Sequence, residues 1–110
     1  MRSTHLIRVY LAESERRGNR PLYQAIVERL KTDGYSGCVV FKGIEGFGPR
    51  GIRSARVLAL SQDLPVVIEV VETESRRAGL LALFDELVTE GLVTSERIEL
   101  LERKRREDAR

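Results

Sequence analysis

The chain concentrates its chemistry in one stretch, Val39 to Arg53, which reads VVFKGIEGFGPRGIR. An apolar run ends at Lys42. Gly43, Gly46, Gly48 and Gly51 follow, interleaved with Phe47, Pro49, Arg50 and Arg53. Glycine admits positive φ and lets a ligand approach the backbone closely. Arginine adds a planar, permanently charged fork suited to phosphate or carboxylate. Backbone amides among the glycines, with charge from Lys42, Arg50 and Arg53, make this loop a candidate for holding a small anion. The candidate ligand-binding residues are Lys42, Gly43, Gly46, Phe47, Gly48, Arg50, Gly51 and Arg53. A surface loop without a ligand is the plainer alternative, yet long loops inside compact domains are uncommon and tend to be functional or disordered.

Gly46, Gly48 and Gly51 also spell GxGxxG after a strand-like run. Glu69 and Glu72 stand about 20 residues on, where a dinucleotide fold places its ribose-binding acid. Such a loop must open directly into a helix whose free N–H groups receive the pyrophosphate. The stretch from Ile52 to Gln62 has a poor helical pattern, and its part from Val57 to Leu60 would extend a strand equally well. Only one strong strand and one helix follow the motif, too little for a dinucleotide domain. Other catalytic sets are lacking: His5 is the single histidine, and Glu13 and Glu15 share one charged, solvated loop. We expect no enzyme activity, no cofactor and no metal.

The elements around the loop have to hold it out from a rigid body. Thr4 to Ala12 alternates as a strand, with His5, Ile7, Val9 and Leu11 on one side and Leu6, Arg8 and Tyr10 on the other. Glu13 to Arg20 is charged and contains Gly18 and Asn19, a loop signature. Pro21 suits a first helical turn, Leu22, Ile26 and Leu30 recur at helical spacing, and Gly34 suits the helix end. Gly37 to Lys42 reads as a second strand and Pro65 to Glu72 as a third, nearly continuous in valine and isoleucine. Thr73 or Ser75 can cap a second helix striped by Leu80, Leu83, Phe84, Leu87 and Val88 and closed by Gly91. A short last strand is expected around Arg97 to Leu101.

Strand, helix, strand, strand, helix, strand is the ferredoxin-like split βαβ order, an α+β fold with an antiparallel sheet and both helices on one face. The uncovered face carries Leu6, Arg8, Tyr10, Val67, Glu69 and Val71, with Arg8 and Glu69 placed to pair on adjacent strands. A half-apolar face of this size is uncomfortable in water. Burial against other copies is the natural solution, so oligomerisation is expected.

Length and composition are consistent with this. A chain of 110 residues is read as one domain, 42% hydrophobic and 33% charged, which argues against a disordered chain. The net charge of +2 is too small to point to nucleic acid, and the pI near 9 reflects a basic run, Arg103 to Arg106, near the C-terminus. One cysteine, Cys38, allows no disulfide within the chain and fits a reducing, cytoplasmic setting; its apolar surroundings read as core. With one histidine and one cysteine, a soft-metal site within one chain lacks ligands. The first residues, MRSTHLIRVYLAE, do not read as a signal peptide, and no apolar run reaches membrane-spanning length.

The segments RPLYQAIVERLKTDGYSGCVVFKGIEGFG, LSQDLPVVIEVVE and FDELVTEGLVT together resemble the bacterial and archaeal family called domain of unknown function 190, over roughly Thr4 to Leu101. That family is similar in fold to the PII signal-transduction proteins. The resemblance implies a homotrimer, adenine-nucleotide binding in clefts between subunits, and a long loop after the second strand, the T-loop, presented to a protein partner. GFGPRG resembles the GFGRQ-type run of PII proteins, which places Gly46, Phe47, Gly48 and Arg50 at corresponding positions. The second glycine-rich PII element has no evident counterpart, since that place reads TEGLVTSER with Gly91 alone. The PII uridylylation tyrosine has none either, because Gly43 to Leu64 contains no tyrosine. A trimer of the CutA metal-tolerance kind, with acids such as Glu45 contributing between subunits, is the competing resemblance.

Overall fold

The computed structural model describes residues 2–47 and 63–101. The residues that alternate in the first strand determine the layout. β1 (Arg2–Ala12) is central, flanked by β5 (Pro65–Thr73) and β6 (Leu92–Leu100), and β4 (Val39–Lys42) lies outside β5. The sheet order β4-β5-β1-β6 is antiparallel throughout. α1 (Leu22–Thr32) and α2 (Glu74–Leu87) cross between the strands, which is the ferredoxin-like arrangement.

The register explains which side each residue takes. Ile7 stands opposite Val70, Val9 opposite Ile68 and Leu11 opposite Val66. All six are at most 5% exposed, packed with Leu22, Ile26 and Leu30 of α1 and Leu80, Leu83, Phe84 and Leu87 of α2. Burial of such side chains stabilises by about 1.5–3 kcal/mol each, so this layer supplies most of the driving force for folding. The helix ends are closed as their residues dictate. Gly34, at φ +79°, follows α1, where the left-handed conformation excludes most side chains. Arg76 of α2 donates to Gly34 O at 2.8 Å and lies 4.2 Å from the centre of the Tyr35 ring. It thereby satisfies a carbonyl beyond the end of α1 while stacking on an aromatic face.

Several sequence-based expectations are corrected. Glu13 to Arg20 is not plain loop: Arg16–Arg17 (β2) pairs with Arg20–Pro21 (β3) around Gly18 at φ +65°. The second strand of the main sheet begins at Val39, so Gly37 and Cys38 precede it, and Cys38 is half-buried against the core. Thr73 takes the N-cap position of α2, but its hydroxyl meets Ser75 Oγ at 3.2 Å instead of a backbone N–H. α2 ends at Leu87, and Gly91, at φ +147°, serves the entry to β6. A Cβ there would come within 2.5 Å of Tyr10 O. β6 starts five residues earlier than expected, because ladder bonds to β1 hold a segment, LVTSERIEL, too polar to announce itself. The ambiguous stretch from Ile52 to Gln62 lies outside the described residues, as does the basic run Arg103 to Arg106.

Candidate functional site

The glycine-rich loop leaves the sheet at the end of β4, and its base is closely tied. Gly43 N donates to Pro65 O at 2.7 Å. A Cβ on Gly43 would stand 2.7 Å from Pro65 Cγ, and one on Gly46 would stand 3.2 Å from it. Neither glycine has positive φ. Close approach to the Pro65 ring is therefore what requires glycine here, not the left-handed freedom expected from the sequence. On the far side Glu13 N donates to Leu64 O at 2.9 Å, and the amide and hydroxyl of Ser14 grip both carboxylate oxygens of Asp63 at 2.9 and 2.8 Å. The base of the loop is thus fastened on both sides, Gly43 to Pro65 and the returning Asp63 and Leu64 to the turn at Glu13 and Ser14.

Lys42 is not a free cation. Its Nζ lies 2.5 Å from Glu13 Oε2, and this hydrogen bond raises the lysine pKa above its ordinary value. Its ammonium is thus paired within the chain while remaining half exposed. Phe47 is 83% exposed and Ile44 93%, so the described start of the loop presents two apolar side chains to solvent. Gly48, Arg50, Gly51 and Arg53 lie outside the described residues.

The uncovered face of the sheet holds a second feature that sequence reasoning missed. A shallow groove of about 540 Å³ runs across it near the start of β4, lined by Cys38, Val39, Glu69, Val71, Glu72 and Leu100 among others. Its polar groups are already engaged. Arg8 Nε donates to Glu69 Oε2 at 2.9 Å, as the strand order predicts, and its Nη1 reaches Glu96 at 3.4 Å. The bond to Glu69 is the main reason that the Arg8 pKa is raised. Burial would raise the Glu72 pKa, but hydrogen bonds from Ser36 N at 2.9 Å and Thr73 N at 3.1 Å, with Arg76 nearby, hold it below the usual carboxylate range. Burial pushes the Cys38 thiol up, which makes it a poor nucleophile. At the same end of the sheet, buried His5 bonds Glu74 through Nε2, and that bond lowers the Glu74 pKa. The signal for the groove was present in YSGC before an edge strand, but small residues in a connection seldom declare what they line.

The groove and Lys42 are not brought together within one chain. Val39 and Lys42 are three strand positions apart, about 10 Å. No lysine or arginine among the described residues lines the groove. Among the described residues, no three His, Cys, Asp or Glu side chains gather as a metal set. No helix among them is long and apolar enough to cross a membrane.

This architecture is that of the PII-like proteins. A solved PII-like signalling protein of Thermus thermophilus superposes with a TM-score of 0.60 over 88% of each chain, at 21% identity. The chain belongs to the family DUF190, described as an uncharacterised ACR, whose model matches residues 4–100. It is 35% identical over 89 residues to UPF0166 protein MJ1524 of Methanocaldococcus jannaschii, covering 80% of this chain and 82% of that one. A UPF0166 protein of Aquifex aeolicus is 32% identical over 99 residues, covering 87% and 91%.

Proposed function

We propose that the chain is a non-enzymatic, cytoplasmic regulatory protein of the PII-like kind. It assembles as a homotrimer, binds a small anionic effector between subunits and offers the loop after Lys42 to a partner protein. An adenine nucleotide is the first effector to test. The observation that supports this best is the division of labour on the open sheet face. The groove there is mostly apolar, with no cation among the described residues that line it, which suits the uncharged ring of a ligand. The candidate anion-binding residues lie in the loop, beyond the far end of β4. The proposed cleft joins the groove of one subunit to the loop of another. Val39, Phe41 and Tyr10, 52%, 50% and 37% exposed, supply apolar area for such a contact.

Ligand that binds only the native assembly raises its melting temperature. A thermal-shift screen of nucleotides, run on the native chain and on Arg50→Ala, tests the reading. At least one adenine nucleotide is expected to raise Tm, with a smaller rise in the variant. No response to any nucleotide removes the effector assignment. An equal response in the variant removes Arg50 from the site.

A further inference from the structure

We propose that the arginine-bearing ribbon β2–β3 is a docking surface for an acidic segment of a partner protein. Arg17 stands directly opposite Arg20 in the ribbon, and Arg16 opposite Pro21. Directly opposed side chains leave the same face of a ribbon, and like charges so placed repel. Arg17 and Arg20 therefore share one face and Arg16 takes the other. Each arginine is differently engaged. Arg20 is tethered to Glu28 of α1 at 3.0 Å, and Arg16 donates to the carbonyl of Asn19 across the turn. Arg17 is exposed and has no partner among the described residues. Arg16 and Arg20 each use Nη2 for these contacts, which leaves further N–H donors of each guanidinium for a ligand. A carboxylate at Arg17 would relieve the repulsion with Arg20 and meet a two-pronged donor.

The shape and surroundings select the class of partner. The ribbon forms a two-stranded sheet of its own, apart from the main sheet, and bears arginines on both faces. A small ion on one face would remain exposed to solvent and screened, whereas an extended peptide can reach both. Glu13, Glu15, Glu28 and Asp63 surround the ribbon in sequence and space. Glu13, Glu28 and Asp63 are themselves engaged by Lys42, Arg20 and Ser14. They therefore leave a positive patch short enough for a single acidic side chain but break the continuous field that a nucleic acid or an anionic bilayer requires. The ribbon also adjoins the loop base: Leu22 N donates to Glu15 O at 2.7 Å, while Glu13 and Ser14 hold Lys42, Leu64 and Asp63. A peptide seated there would be felt at both ends of the glycine loop. This proposal does not depend on nucleotide binding.

The test uses the full chain, labelled with nitrogen-15, and a blocked peptide of alternating glutamate and serine. Titration is expected to move the amides of residues 15–21 first, and those of Ser14 and Gly43 with them, with binding that weakens as salt rises. The double variant Arg16→Glu, Arg17→Glu should bind about tenfold or more weaker, the loss expected of two exposed ion pairs made repulsive. Arg16→Lys with Arg17→Lys should keep most of the binding. Unchanged melting temperatures confirm that the variants fold. Peptide binding unaffected by charge reversal, or shifts elsewhere with none at 15–21, overturns the proposal. Tighter capture of duplex DNA or phosphatidylserine vesicles through residues 15–21 overturns the choice of an acidic protein segment.

Discussion

The two faces of one sheet are made by alternate residues of the same strands, yet they reach opposite physical solutions. Towards the helices, Ile7, Val9, Val66, Ile68 and Val70 are sealed at 1% exposure or less. Towards the other side, Tyr10, Phe41, Val39 and Val71 remain 37–52% exposed around the Arg8–Glu69 ion pair. The covered face satisfies its apolar groups within the chain. The open face leaves apolar area around a charged pair whose two partners are matched to each other. One face thus specifies the fold, and the other is suited to recognising identical neighbours. Four changes break or sharpen this contrast.

The largest effect is expected on the covered face. Phe84 is fully buried, and Phe84→Ala should cost about 3–5 kcal/mol in chemical denaturation, the range for removing a buried aromatic ring. Next comes the loop base. Gly43→Ala drives a methyl against Pro65 Cγ and should destabilise by about 1–3 kcal/mol, with Gly46→Ala milder because its contact is looser. Combining Gly43→Ala with Pro65→Ala should restore much of the loss, whereas simple additivity of the two changes would show that the ring is not the obstacle.

A third change concerns pH. Glu72 has a folded pKa below its unfolded value near 4.5. Its contribution is therefore present above that value and is lost as pH falls through the lowered one. Glu72→Gln should be about 1–2 kcal/mol less stable near pH 7, with the difference shrinking in acid, because a charged acceptor is lost from two backbone donors. Melting curves from pH 3 to 7 read this directly. A constant difference over that range would mean that the carboxylate's charge is immaterial. The smallest effect on folding is expected on the open face, where Val39→Ala should change chain stability by no more than about 0.5 kcal/mol. The same change should weaken assembly measurably.

How much of this was legible before the fold was seen depends on how local the cause is. Alternation in β1 separated Ile7 and Val9 from Arg8 and Tyr10, and the Arg8–Glu69 pair followed from topology alone. The Gly34 cap was legible because a helix must end near its last apolar residue. Other features depend on distant partners. Gly43 is required by Pro65, 22 positions away, and the tie between Ser14 and Asp63 closes 49 positions. β6 was underestimated because LVTSERIEL is held by ladder bonds to β1 and carries few strong apolar residues. The β2–β3 ribbon was read as loop because Gly18 and Asn19 signal a turn without signalling what flanks it. Of the candidate ligand-binding residues, Lys42, Gly43, Gly46 and Phe47 fall at the described loop base, and the first three prove to have structural work there. Gly48, Arg50, Gly51 and Arg53 lie outside the described residues.

The most direct test of the central claim, that the open face is completed by other copies of the chain, is sedimentation equilibrium of the ligand-free protein at micromolar concentrations, beside Arg8→Glu. The account predicts a mass three times the 12.5 kDa of one chain for the native protein. It predicts a shift towards single chains in the variant, where like charge faces Glu69 and Glu96. A native protein that stays at the mass of one chain throughout, or a variant that assembles as the native protein does, would contradict it.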